Sequence, residues 1–157
     1  MTNLPIEKYL SSQEMFSGLN PEFIGFLARC ASERHIEQGH VLFHQGERAR
    51  NFYLLCDGRV AVEIPAITGP TLEVQSLGEG EVLGWSWLIP PYRWNFQARA
   101  EGETELLEFD GEAVLARSEQ EPEFGYEVLK RFAALMSARL DAARQKMMDQ
   151  WNPPGFA

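Results

Sequence analysis

Two runs decide how this chain is read: Glu37-Gln38-Gly39-His40-Val41-Leu42-Phe43-His44-Gln45-Gly46-Glu47, and then Phe52-Tyr53-Leu54-Leu55-Cys56-Asp57-Gly58-Arg59-Val60-Ala61-Val62. In the first, Val41, Phe43 and Gln45 alternate with Leu42 and His44. That period of two sends successive side chains to opposite faces of a strand. Turn residues Gly39 and Gly46 bracket it, and Asp57-Gly58 between two apolar runs is the strongest hairpin signal in the chain. Further runs at 72–76, 96–100 and 106–109 are separated by Gly69-Pro70, Gly78, Gly80 and Gly102. Short strands with turns every ~8–12 residues predict an antiparallel sandwich or barrel, here over 36–110. The exception is the segment from Gly84 to Tyr92, where Trp85-Ser86-Trp87-Leu88-Ile89-Pro90-Pro91 fits no strand alternation.

Outside this region the period is helical. In segment 1–35, Asn20-Pro21 supplies an N-cap and an N1 proline for a helix of about three turns carrying Phe23, Ile24, Phe26, Leu27 and Cys30 on one face. In segment 111–151, residues 112–117 read as a short helix, Glu121-Pro122 as a break, and 124–151 as a long helix. Along it Leu129, Phe132, Met136, Leu140, Ala143 and Met147 step by 3, 4, 4, 3 and 4. Such a narrow stripe predicts pairing with one partner helix and hence a homodimer; the alternative is a helix lying on its own sandwich.

With 157 residues the chain is one domain, and 45% hydrophobic with 11% aromatic content excludes disorder. Its 23 acids against 14 bases, a net charge of −9, argue against direct nucleic-acid binding. The charge is local: residues 101–123 hold nine acids against the single base Arg117. No run approaches the ~18 apolar residues of a membrane span. The start lacks a signal-peptide pattern. Cys30 and Cys56 read as free thiols, so the expected location is cytoplasmic.

The glycine-punctuated runs quoted above resemble the cyclic nucleotide-binding domain, in particular sensor domains of the catabolite activator and FNR regulator family. Met15-Phe16-Ser17-Gly18-Leu19 looks like that family's entry segment, and Leu77-Gly78-Glu79-Gly80-Glu81-Val82-Leu83-Gly84 looks like the approach to its phosphate-binding cassette. The resemblance covers roughly residues 15–150. It implies a mainly β fold, a jelly-roll-like β-roll with flanking helices, and a dimer helix at 124–151. Regulators of the family carry a helix-turn-helix after that helix; this sequence ends seven residues after Gln150, so no such segment is expected.

In cyclic nucleotide binders of this family a Glu after the cassette glycine accepts a hydrogen bond from the ribose 2′-hydroxyl. An Arg further on pairs with the cyclic phosphate, near a Ser or Thr. Here Trp85 follows Gly84, and an indole N–H donates but cannot accept. Between Arg59 and Arg117 the only cations are Arg93 and Arg99. Arg93 is the better phosphate candidate, provided Pro90-Pro91-Tyr92 aims it inward; Arg99 is expected to face solvent beside acids. The neighbours of Arg93 are Trp94, Asn95 and Phe96.

Two readings follow. In one, Gly84, Trp85, Ser86, Arg93, Trp94 and Asn95 line a site for a small anionic or amphipathic ligand. In the other, the rings fill the pocket and the domain is a ligand-free dimeric interaction module for an unknown protein partner. Cyclic nucleotide itself is disfavoured by Trp85. His40 and His44 lie ~13 Å apart along a strand, too far to share a metal ion. Two cysteines exclude a four-thiolate cluster in one chain, and no nucleophile elbow, P-loop or zinc-protease motif occurs. No enzymatic activity is expected, and the acids near residue 103 read as a solvated strand edge.

Overall fold

The computed structural model describes residues 4–150. Helices α1 (Ile6–Ser11) and α2 (Pro21–Arg29), joined through a 3-10 turn at Glu14–Phe16, precede eight strands. These are β1 (Ala31–Ile36), β2 (Val41–Phe43), β3 (Asn51–Asp57), β4 (Val60–Ile64), β5 (Leu72–Leu77), β6 (Val82–Leu83), β7 (Gln97–Ala100) and β8 (Thr104–Asp110). Helices α3 (Gly111–Gln120) and α4 (Pro122–Gln150) follow. The strands form two antiparallel sheets, β1-β8-β3-β6 and β2-β7-β4-β5, so the fold is the expected β-roll with flanking helices.

The Asp57-Gly58 turn is where the sequence reading needs correction. The two runs it joins do not pair as a hairpin: β3 bonds to β6 and β8 in one sheet, while β4 bonds to β5 and β7 in the other. The turn is a corner at which the chain changes sheets. Gly58 has φ +95°, and a Cβ there would stand 2.5 Å from Thr104 Oγ1, at the second corner where β7 passes into β8. Only glycine fits both requirements. A dipeptide that favours positive φ serves a sheet-switching corner as well as a hairpin, and local chemistry does not separate the two.

Two strands lie beyond the sequence reading. β1 falls in the segment assigned to the N-terminal helical region, because Ala-Ser-Glu-Arg-His-Ile carries little apolar signal; only Ile36 is buried. What holds it is pairing with β8 in unbroken register from Ala31↔Phe109 to Ile36↔Thr104. β6 is two residues long, below any periodic signal.

That pairing also changes the role of the acids. β8 lies inside its sheet between β1 and β3, so the acidic stretch is no free strand edge. Its carboxylates meet cations from elsewhere. Glu108 bonds Arg34 at 2.6 Å, Glu112 pairs with Arg50 at 3.2 Å, and His35 bridges Glu105 at 2.6 Å and Glu103 at 2.5 Å. Arg117, the lone base of the stretch, binds Glu22 and Glu121 and lies over the rings of Phe23, Phe26 and Phe124 at 5.5, 4.6 and 4.9 Å. It ties α2, α3 and α4 together through charge and cation–π contact. At the start of α2, Asn20 Oδ1 accepts from Glu22 N at 2.9 Å, the cap expected from Asn20-Pro21.

The two carboxylates around His35, Glu105 first and then Glu103, raise its pKa. A group whose folded pKa lies above its unfolded value of ~6.5 stabilises fully below that pH and loses its contribution as pH rises through the folded pKa. Thermal melts of the native chain and His35→Gln should therefore differ most below about pH 6.5 and converge in mildly alkaline buffer. Because the imidazole is exposed the difference is modest and shrinks with added salt.

The core lies between the sheets and under the helices. Phe52, at its centre, stacks on Phe109 at 4.6 Å and on Trp87 at 4.8 Å and meets Phe132 of α4 edge-on at 5.2 Å. Phe124, Val128 and Phe132, four residues apart on α4, are all buried. The proximal half of α4 is thus anchored in its own domain, and its distal half reaches across the cassette.

The cassette pocket between the roll and the long helix

The segment after Gly84 is shaped by backbone bonds to the loop that follows β2. Gly46 N donates to Trp94 O at 2.8 Å, Trp94 N to Glu47 O at 2.9 Å, and Ala49 N to Tyr92 O at 2.7 Å. Arg48 and Arg93 form a bridge between them. Paired this way, residues 93–95 alternate like a strand: Trp94 points inward and is 6% exposed, while Arg93 and Asn95 are on the outside.

Trp94 therefore defines the pocket floor. Its ring lies flat on Phe43, with centroids 3.7 Å apart and planes 11° from parallel. Its edge presses on Gly84, where a Cβ would come within 2.7 Å of the indole. Gly84 has φ +102°, so both the backbone and the close approach require glycine. The other tryptophans of this segment divide. Trp87 is a core residue; its indole N–H donates to Gly84 O at 3.1 Å and its ring meets Phe132 at 5.1 Å. Trp85 is half-buried and lines the pocket, and Ser86 lines it from a buried position.

What remains is a cavity of about 220 Å³, walled by Phe43, Val62 and Leu83 from the roll, Trp85, Trp94 and Phe96 from the cassette, and Met136, Leu140 and Ala143 from α4. This is below the ~300–1,000 Å³ of ordinary small-molecule pockets. A larger groove of about 740 Å³ runs along the other flank of α4, between Met15, Leu77 and Ala138, and shares Val74, Gln75 and Arg139 with the cavity.

Of the six ligand candidates read from the sequence, Gly84, Trp85, Ser86 and Trp94 come together at the cavity; Arg93 and Asn95 do not. Arg93 is exposed, and its guanidinium donates to Gly46 O at 3.0 Å. Arg99 stands as expected beside an acid, bonding Glu63 at 2.8 and 3.2 Å, and this holds the Glu63 carboxyl below its usual range. The cation that does reach the cavity is Arg139, on α4. Its guanidinium donates to Val82 O, and burial pushes its pKa down. Gln75 Nε2 donates to Arg139 O at 3.2 Å and Lys146 Nζ to Glu73 O at 2.9 Å, so the distal half of α4 is stitched to β5 and β6. Nothing local to the cassette points to Arg139. Its place follows from how α4 crosses the roll.

The stripe on α4 also divides. Phe132 is 2% exposed, packed on Phe52 and Trp87, and is unavailable to a partner. Leu129, Leu140 and Met147 are 52, 60 and 64% exposed, while Met136 and Ala143 are half-buried over the cavity. With exposed Ala133 in place of Phe132, the positions 129, 133, 136, 140, 143 and 147 keep a heptad spacing. His40 and His44 flank β2 and are bonded to Arg34 and Glu47 respectively. Among the described residues no cluster of three metal-ligating side chains occurs, and no helix is long and apolar enough to cross a membrane.

Known proteins agree with this architecture. Residues 33–121, more than half the chain, match the cyclic nucleotide-binding domain family model. A Rhodopseudomonas palustris protein provisionally described as a potassium channel protein is 29% identical over 109 residues, which is 69% of this chain but only 26% of that protein. The chain thus spans about a quarter of that relative's length. A solved structure provisionally described as a cyclic nucleotide-binding protein, from Geobacter metallireducens, superposes with a TM-score of 0.79 at 27% identity, covering 89% of this chain and 99% of that one. The Thermus thermophilus catabolite activator protein does so with a TM-score of 0.68 at 29% identity, over 85% of this chain and 61% of its own. A cyclic nucleotide-binding domain from Methylobacillus flagellatus shares the fold at 16% identity, with a TM-score of 0.78. The sheet order, the cassette between β6 and β7 and the matched residues together place this chain in the cyclic nucleotide-binding domain family.

Proposed function

We propose that this domain is a regulatory module whose cassette is filled by its own Trp94 and takes no cyclic nucleotide, and that it works as a homodimer through α4. The observation that carries the reading is the seat of Trp94 between Phe43 and Gly84. A nucleotide needs that space, an acceptor for its ribose hydroxyl and a cation for its phosphate. Trp85 offers no acceptor from its side chain, and Arg93 is turned to the outside. The dimer reading is supported by the exposed apolar heptad on α4 and by the habit of catabolite-activator-like domains to pair through this helix.

A thermal-shift titration tests the first part. A ligand present at about 1,000 times its Kd stabilises by ~4 kcal/mol, which raises the melting temperature of a domain this size by roughly 10 °C. Cyclic AMP and cyclic GMP at millimolar concentration should leave the native melting temperature unchanged. A rise of several degrees with either would contradict the proposal.

A further inference from the structure

We propose that the remaining cavity is a binding site for a small amphipathic monocarboxylate, such as a medium-chain fatty acid, whose carboxylate is held by Arg139. The inference rests on the reading above, that Trp94 holds the nucleotide position, and goes beyond it by assigning a ligand class to the space Trp94 leaves.

Three observations carry it. The cavity walls are almost wholly apolar: Phe43, Val62, Leu83, Trp85, Phe96 and Met136 surround about 220 Å³. That is room for about seven waters at ~30 Å³ each, yet water in such a space would find few of the two to four polar partners it needs. An alkyl chain or a single ring suits it better. Second, the cavity has one cation, Arg139, and among the described residues no carboxylate lies within salt-bridge distance of its guanidinium. Its protein partner is a neutral carbonyl, Val82 O. A guanidinium is planar and suited to grip a carboxylate through two parallel bonds, which are stronger than bonds to a neutral acceptor. Glu81 is the acid whose charge reaches it, and that charge is too far away to pair. Third, the cavity shares Val74, Gln75 and Arg139 with the larger groove on the other flank of α4. A chain can therefore enter from that side, away from Leu140, with its head at Arg139.

Ligand occupancy would act on the helix that carries the cation. Arg139 holds the distal half of α4 to β6 through Val82 O, and its own carbonyl accepts from Gln75. A carboxylate that takes over the guanidinium competes with that bond. The position of the distal helix, and with it the face offered to a partner, then depends on the ligand.

Isothermal titration with octanoate and with the uncharged alcohol of equal chain length tests the assignment. Bonds to a charged group are worth more than neutral ones by an amount that makes octanoate about tenfold or more tighter than the alcohol. Arg139→Gln should abolish that difference while the alcohol still binds, showing the variant folded and its cavity intact. Arg139→Lys should restore part of the difference, and Arg93→Gln should change nothing. Octanoate binding no tighter than the alcohol, a difference that survives in Arg139→Gln, or no binding of either to the native chain would each overturn the assignment. Cyclic AMP titrated into the same native sample separates the two readings: its binding would overturn the filled cassette, whereas failure of octanoate alone overturns only this one.

Discussion

Replacing Trp94 by alanine lowers the unfolding free energy by about 3–5 kcal/mol, the range for truncating a buried aromatic in a packed core. The indole makes three interactions that alanine cannot: the flat stack on Phe43 at 3.7 Å, the close packing against Gly84, and the seal at the cavity floor. Since the space cannot close around a residue fixed on both sides by backbone bonds to Gly46 and Glu47, collapse recovers little of that stabilisation. Urea unfolding of native and variant chains, with equal m-values, is the measurement. A cost under about 1 kcal/mol would mean that Trp94 is a replaceable surface ring and that the cassette is open. Phe96, half-buried on the same cavity wall, is the internal control, since its truncation leaves the stack on Phe43 in place.

Leu140→Glu converts the proposed dimer to monomer. Leu140 is 60% exposed, so a carboxylate there costs an isolated domain little. In the seam between two α4 helices the same carboxylate would be buried close to its symmetry mate, a penalty of several kcal/mol. Light scattering at about 100 μM should give twice the chain mass for the native protein and the single-chain mass for the variant, with little change in melting temperature beyond that due to dissociation. A native chain that is already monomeric at this concentration would rule the dimer out.

How far the sequence reaches is set by the range over which each feature is determined. The strands β2, β3, β4, β5, β7 and β8 are legible because alternating apolar residues and glycine turns are local, and Gly39, Gly46 and Gly58 all adopt the positive φ their places imply. β1 is not legible, because its register with β8 rather than its composition makes it a strand. For the same reason Asp57-Gly58 reads as a hairpin although it is a corner between sheets. In the cassette, the exclusion of an acceptor at Trp85 is a statement about side-chain chemistry and survives folding unchanged. Which of Arg93 and Trp94 points inward is different. It depends on pairing with residues 46–49, and the pairing turns the indole in and the guanidinium out. Arg139 lies 45 positions beyond Trp94, and only the path of α4 brings it to the cavity. On α4 itself, the apolar stripe is visible in the sequence, but its division into a core face through Phe132 and an exposed face through Leu129, Leu140 and Met147 needs the roll against which the helix packs.

The most direct test of the filled cassette is a crystal structure of the native chain grown or soaked with millimolar cyclic AMP. The expected result is the Trp94 indole flat on Phe43 and against Gly84, Arg93 directed to Gly46, and no nucleotide density in the cassette. A cyclic nucleotide seated at Gly84, with Trp94 displaced and a guanidinium on its phosphate, would contradict it.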